Sequence, residues 1–189
     1  MKQTLLSFTL LILFASNSLA QEDEIIKAGL VRAQMTISPS TLLVEDGSFF
    51  YLHGNLEGYL TNKVSISGDT YFYLGKLSGN DSPFDYNHKL FFGANWHFTN
   101  DNSDLYLGLQ PGISVTKLNI ITTLPLEAGA STGVNPLLSS LVGYNYYVNK
   151  YFHFFVQSRI ILGEHNHDTP VNISEWTLSA GLGFNINAK

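Results

Sequence analysis

Apolar and polar positions alternate with a period of two along most of this chain. Phe50, Leu52, Leu56 and Leu60 are interleaved with Tyr51, His53, Asn55, Glu57 and Tyr59, and segments of the same rhythm recur toward the C-terminal end. Side chains on a strand point alternately to opposite faces, so each segment is a ribbon with one apolar and one polar face. Eight strands are predicted on this basis, over 28–37, 48–60, 64–74, 87–98, 105–116, 137–148, 152–163 and 175–187. Each is close to the roughly 9 to 11 residues that a tilted strand needs to cross the hydrocarbon of a bilayer.

The connections alternate in length. Thr61-Asn62-Lys63, 99–104 and Asn149-Lys150-Tyr151 are short, whereas 38–47, 75–86, 117–136 and 164–174 are long. Short turns at one end and long loops at the other are the plan of a membrane-spanning barrel, with the turns periplasmic. An even strand count then puts both termini in the periplasm. Parity gives a stricter test, because paired strands must agree on which face is apolar. A three-residue turn at Thr61-Asn62-Lys63 sets Leu60 opposite Val64 and Gly58 opposite Ile66, all outward; across the next turn Phe98 faces Leu105 and Trp96 faces Leu107. The fold class expected is therefore all-β, an eight-stranded antiparallel up-and-down transmembrane β-barrel with an apolar exterior and a polar lumen.

Outward aromatics gather near the strand ends. Trp96, Phe98, Tyr146, Phe152 and Phe184 would ring the periplasmic interface, and Phe50, Phe72 and Trp176 the outer one, where amphipathic rings prefer to sit. Aromatics also enrich any sheet. Pro111 lacks the donor that an interior strand needs, so a bulge is expected at Gln110-Pro111-Gly112.

The first residues have another character. Lys2, the apolar run from Leu5 to Phe14 and Ser18-Leu19-Ala20 form the basic, apolar and small-residue parts of a secretory signal. The expected division is a signal peptide over 1–20 and a barrel domain over 21–189. Without Lys2 the basic count falls from 10 to 9 against 15 acids, a net charge of about −6 that argues against nucleic acid as a partner. With no cysteine, neither a disulfide nor a lipidated cysteine anchors the chain, and closure of the sheet must hold it together. After the signal no apolar run reaches the roughly 18 residues of a membrane helix.

The chain resembles the small eight-stranded outer-membrane β-barrels of Gram-negative bacteria, the OmpA- and OmpX-type group. Within it, Ser179-Ala180-Gly181-Leu182-Gly183-Phe184-Asn185-Ile186 looks like the polar-x-Gly-x-x-apolar-x-apolar signal read by the barrel-assembly machinery, with Ser179, Gly181, Phe184 and Ile186 at its key places. Many members end on an aromatic residue, whereas here Asn187-Ala188-Lys189 follows. The resemblance implies residence in the bacterial outer membrane, contact with its lipid and lipopolysaccharide, and no cofactor.

Arg32, Glu57, Asp69, Lys89 and Arg159 point into the barrel by parity, and enclosed charges must be paired to be tolerated. By height Arg32 should meet Glu57, and Asp69 should meet Arg159 across the lumen. Tyr51, Tyr59, Tyr71, Tyr73 and Tyr106 would add bulk, making a packed polar plug, since eight strands leave room for little but side chains. His53, His97 and His153 are read as hydrogen-bonded interior residues rather than a proton relay. His165, His167 and Asp168 form a weak metal candidate, better read as a solvated loop because a structural site wants about four ligands.

The outer loops carry Glu45, Asp46, Asp81, Asp85, Glu127, Glu164, Asp168 and Glu175, an acidic crown, and 117–136 adds the apolar Ile120, Ile121, Leu124, Pro125 and Leu126. An extracellular partner is accordingly expected at 117–136 and 164–174. Enzymatic lipid A modification would need a nucleophile or base with an orienting partner at the outer lipid level. His88 is the outward histidine near that rim, with no outward serine beside it. The reading is a monomeric, non-enzymatic barrel serving surface interaction, adhesion or envelope integrity; the alternative is a small channel or transporter for hydrophobic or small polar solutes.

Overall fold

The computed structural model describes residues 25–77, 83–119, 132–167 and 170–187, without the side chain of Asn187. The strands are β1 (Leu30–Leu42), β2 (Ser48–Tyr59), β3 (Val64–Lys76), β4 (Phe84–Asn100), β5 (Ser103–Leu118), β6 (Thr132–Tyr147), β7 (Phe152–His165), β8 (Val171–Asn172) and β9 (Glu175–Asn187). β8 is a two-residue appendage on β7. The other eight pair antiparallel in chain order, β7 joins β9, and β9 returns to β1 through Leu30↔Asn187 to Leu42↔Glu175. Closure gives each of these eight strands a neighbour on both sides over most of its length, so no strand is left as a full edge to template aggregation. The architecture is the eight-stranded antiparallel barrel that alternation and turn lengths imply.

The registers follow from parity. Gly58 pairs with Ile66, Phe98 with Leu105 and Trp96 with Leu107. Along β6 strictly every second residue is buried from Gly133 to Tyr147. The outward set includes Leu56, Leu107, Leu109, Phe154 and Leu178, all exposed, whereas Tyr51, Glu57, Asp69, Gln157 and Arg159 are buried inside. An exposed apolar wall around a buried polar bore inverts the water-soluble arrangement.

Several expected boundaries move. The barrel is taller at the loop end: β1 runs to Leu42, β4 starts at Phe84, β5 reaches Leu118 and β6 starts at Thr132. Half of the stretch 38–47 is thus strand, leaving 43–47 as its loop. The second short turn contracts to Asp101-Asn102, with Asp101 at φ 50°. No bulge forms at Gln110-Pro111-Gly112. The β5–β6 register runs unbroken through Pro111↔Leu138, and on the β4 side the ladder lapses between Phe91↔Gly112 and Ala94↔Leu109 without changing register. Proline costs one donor, and the strand absorbs that loss in place. The register shifts fall instead at Phe50/Tyr51 and Phe84/Tyr86.

The bore is layered. At the turn end Ile26, Leu30, Tyr59 and Tyr147 cluster, and Gly29, at φ 85°, lets the entry segment fold inward while its N–H donates to Tyr59 O at 2.9 Å. At the loop end Leu42, Phe49, Phe84, Leu118, Leu137, Ile161 and Ile173 form a second apolar cap. Between the caps lie the charges.

Candidate functional site: the charged lumen

Near the turn end, Arg32 stands directly opposite Glu57 in the β1–β2 register. Its Nε donates to Glu57 Oε2 at 3.1 Å, Nη2 makes a closer ion pair with the same oxygen, and Nη1 reaches Asp104 Oδ2 at 3.1 Å and Tyr147 Oη at 2.8 Å. The guanidinium also lies 5.0 Å from the centroid of Tyr59, a cation–π geometry. His97 bridges the two acids, with Nδ1 2.9 Å from Asp104 Oδ1 and Nε2 3.1 Å from Glu57 Oε1. Its Nε2 is also 2.8 Å from Ser65 Oγ. Among the described residues, three buried cations, Arg32, Lys89 and Arg159, face four buried acids, Glu57, Asp69, Asp104 and Glu175.

At mid-height, Arg159 Nη2 lies 2.9 Å from Asp69 Oδ2, and Nη1 donates to Gln110 Oε1 at 2.6 Å and Ser139 Oγ at 2.8 Å. Asp69 also meets His53 Nε2 at 2.8 Å and accepts from Gln110 Nε2 at 2.9 Å. His53 is stacked on Tyr71 with centroids 4.3 Å apart. Toward the loops, Lys89 Nζ is 2.6 Å from Glu175 Oε1 and donates to Tyr51 Oη at 2.8 Å. Asn87 Nδ2 and Ser40 Oγ donate to the same carboxylate at 3.1 and 2.6 Å. The charged side chains of all three clusters are at most 2% exposed. Each charge faces an opposite charge and hydrogen-bonding neighbours, the condition under which burial is tolerated.

Two of these acids were misplaced by sequence reasoning. Glu175, assigned to the acidic crown, opens β9 and points into the bore, fully buried against Lys89. Asp104, assigned to a turn, sits inside beside Arg32 because the turn is shorter than expected. Asp104 lies one residue before the expected fifth strand and Glu175 is the first residue of the expected eighth, so alternation applied at those two positions turns both inward. His165 is likewise not part of a solvated loop: it is 1% exposed, with Asn135 Nδ2 3.2 Å from its Nδ1, while His167 is exposed. Asp168, Asp81, Glu127 and the apolar run 120–126 lie outside the described residues. Among the described residues no group of three or more His, Cys, Asp or Glu is placed to hold a metal ion.

The remaining named residues sit on the wall. Phe72, Trp96, Phe98, Tyr146, Trp176 and Phe184 are exposed outward; Phe50 and Phe152 are half-buried, the latter against Phe184 at 5.2 Å. In β9, Ser179 is buried with its hydroxyl 2.6 Å from that of Ser38, Gly181 is half-buried, and Phe184 and Ile186 face out. Tyr51, Tyr59, Tyr71 and Tyr106 are buried in the bore, and Tyr73 is half-buried beneath Phe84. Of the crown, Glu45, Asp46 and Glu164 are exposed and Asp85 pairs with Lys117 at 3.0 Å.

This arrangement is an eight-stranded barrel of the outer-membrane type. The structure is similar to that of Neisserial surface protein A, at 16% identity and a TM-score of 0.63 over 84% of this chain and 96% of that one. It is also similar to the N-terminal barrel domain of Pseudomonas aeruginosa OprF, at 15% identity and 0.58 over 85% and 99%. The attachment invasion locus protein Ail of Yersinia pestis, in complex with the heparin analogue sucrose octasulfate, matches at 12% identity and 0.53 over 84% and 99%. No family model matches the sequence, and neither does any curated protein. At these identities the likeness is one of fold.

Proposed function

We propose that the chain is a non-enzymatic, monomeric outer-membrane barrel, exported by residues 1–20, whose plugged lumen makes it a rigid scaffold for surface loops serving interaction, adhesion or envelope integrity. Both termini are then periplasmic, and the loop end carrying Glu45, Asp46, Asp85 and Glu164 faces the medium. The carrying observation is the bore. A water-filled channel exposes the charges that line it, but here Arg32, Asp69, Asp104, Arg159 and Glu175 are at most 1% exposed and ion-paired at three heights, beneath an apolar cap at each mouth. The exposed apolar wall supports the membrane assignment independently.

Four loops on a closed sheet leave recognition to the rim, and the extracellular partner is assigned to 117–136 and 164–174. Lipid A chemistry finds little support at His88, whose Nδ1 is taken by the Tyr73 N–H at 3.1 Å and whose ring is stacked on Tyr86. Planar-bilayer recording of the refolded mature chain tests the plug. A silent, folded barrel is expected; discrete conductance steps from the wild-type protein would favour the small-channel reading instead.

A further inference from the structure

The seam that closes the barrel is laddered only toward its ends. β1 and β9 pair from Leu30↔Asn187 to Gln34↔Gly183 and again from Ser40↔Thr177 to Leu42↔Glu175. Between these stretches, residues 35–39 and 178–182 run side by side without ladder pairing, and the register is the same above and below. The other edge of each strand is unbroken at this height: β1 pairs with β2 from Val31↔Gly58 to Thr41↔Ser48, and β9 with β7 from Phe152↔Phe184 to Ile161↔Glu175. The lapse therefore belongs to the seam itself.

Side chains stand where rungs are missing. Thr36 Oγ1 donates to Ala180 O at 2.7 Å, and the hydroxyls of Ser38 and Ser179 are 2.6 Å apart. Backbone groups at membrane depth must find partners within the protein, and a hydroxyl that rotates about its own bond is a looser clasp than a ladder. The wall is also thin here. By parity Thr36 and Gly181 point inward, opposite each other in the register carried across the lapse, and both are partly exposed, whereas Gln34, Ser38, Ser179 and Gly183 beside them are buried. The lapse between β4 and β5 is different, because a methyl group on Gly93 would collide with the Leu109 carbonyl, so those backbones are in close contact. A Cβ on Gly181 would meet side chains first, Phe155 Cε1 at 3.1 Å and Thr36 Oγ1 at 3.4 Å.

We propose that the middle of the β1–β9 seam is a lateral gate: the Thr36 and Ser38 clasp releases, residues 35–39 part from 178–182, and the bore opens sideways while the other strand pairs and both apolar caps stay closed. The inference goes beyond the scaffold reading and rests on its membrane placement only for what lies outside the gate. The distribution of charge fits such a motion. Arg32 and Glu175, the charged residues that these two strands turn inward, sit in the laddered ends. The layer behind the lapse, with Gln34, Ser38, Gln157 and Ser179, is polar but uncharged, so parting the strands presents no ion pair to lipid.

Hydrogen exchange of the full mature barrel in phospholipid nanodiscs, resolved by NMR, tests the gate. Seam-facing amides of 35–38 and 178–182 are expected to exchange at least about tenfold faster than those of 52–56 in β2, which is laddered on both sides. Ser38→Cys/Ser179→Cys sets a disulfide across the seam, in a chain with no other cysteine. Oxidation should slow the seam to the rate of β2, and reduction should restore it. Thr36→Val, which cannot donate to Ala180 O, should speed seam exchange about fivefold. A wild-type seam as protected as β2, seam exchange that the disulfide leaves unchanged, or two cysteines that do not join each overturn the gate. Retention of the heat-dependent gel shift of a folded barrel in every variant separates opening of the seam from loss of the fold. If the wild-type chain fails to insert into nanodiscs, the membrane reading falls and a gate into lipid with it; insertion with an evenly protected wall removes the gate alone.

Discussion

Replacing Asp69 with Asn removes the charge that faces Arg159 and leaves the rest of the cluster nearly in place. Arg159 keeps Gln110 Oε1 at 2.6 Å and Ser139 Oγ at 2.8 Å, and stays 4.9 Å from the Phe91 ring, but the anion 2.9 Å from its Nη2 is gone. Arg159 and Asp69 are 0% and 1% exposed, so water does not substitute for it. Breaking a buried pair from one side costs about 3–5 kcal/mol, whereas the same change in a wet bore costs about 1 kcal/mol or less. Adding Arg159→Met removes the orphaned cation and offers an apolar chain to Phe91 and Tyr71. Asp69→Asn/Arg159→Met should therefore be more stable than Asp69→Asn alone, with a coupling energy of at least about 2 kcal/mol. Urea unfolding in phospholipid vesicles, followed by the fluorescence of Trp96 and Trp176, measures all four corners of the cycle. Additive single effects of about 1 kcal/mol or less would show that water reaches Arg159, and the dry plug would be refuted.

Two further outcomes are expected. Leu109→Arg places a charge on an outward position that is 61% exposed near the middle of β5, and vesicle-based urea unfolding should show a loss of about 2–4 kcal/mol; a neutral result would mean that this face meets water. Single cysteines at Asp46 and Asn149 lie on opposite ends of the barrel, so an impermeant maleimide applied to intact cells should label the first and spare the second, and the reverse pattern would invert the assigned orientation.

The inward aim of Arg32, Glu57, Asp69, Lys89 and Arg159 can be read from a two-residue period, because β geometry is local. The same logic stops at strand ends. Asp104 and Glu175 are where sequence reasoning broke down: each stands at a strand end, where an acid reads as readily as loop as wall, and the structure pairs them inside with Arg32 and Lys89. His165 escaped for the same reason: β7 continues past Gly163 only because β8 folds back to pair with it. Pro111 erred the other way, as a locally disruptive residue that the unbroken ladder with β6 holds in register.

Alternation, turn lengths and parity were enough to specify a closed eight-stranded barrel and which face of each strand is apolar, since those depend on side chains two residues apart and on the rule that neighbours must agree. Which carboxylate meets which cation and how the apolar caps cover the bore were decided only by closure. That step brings residues as distant in sequence as Tyr51 and Glu175, 3.0 Å apart, into one enclosed space. There the cost of an unpaired charge selects partners that no local pattern encodes.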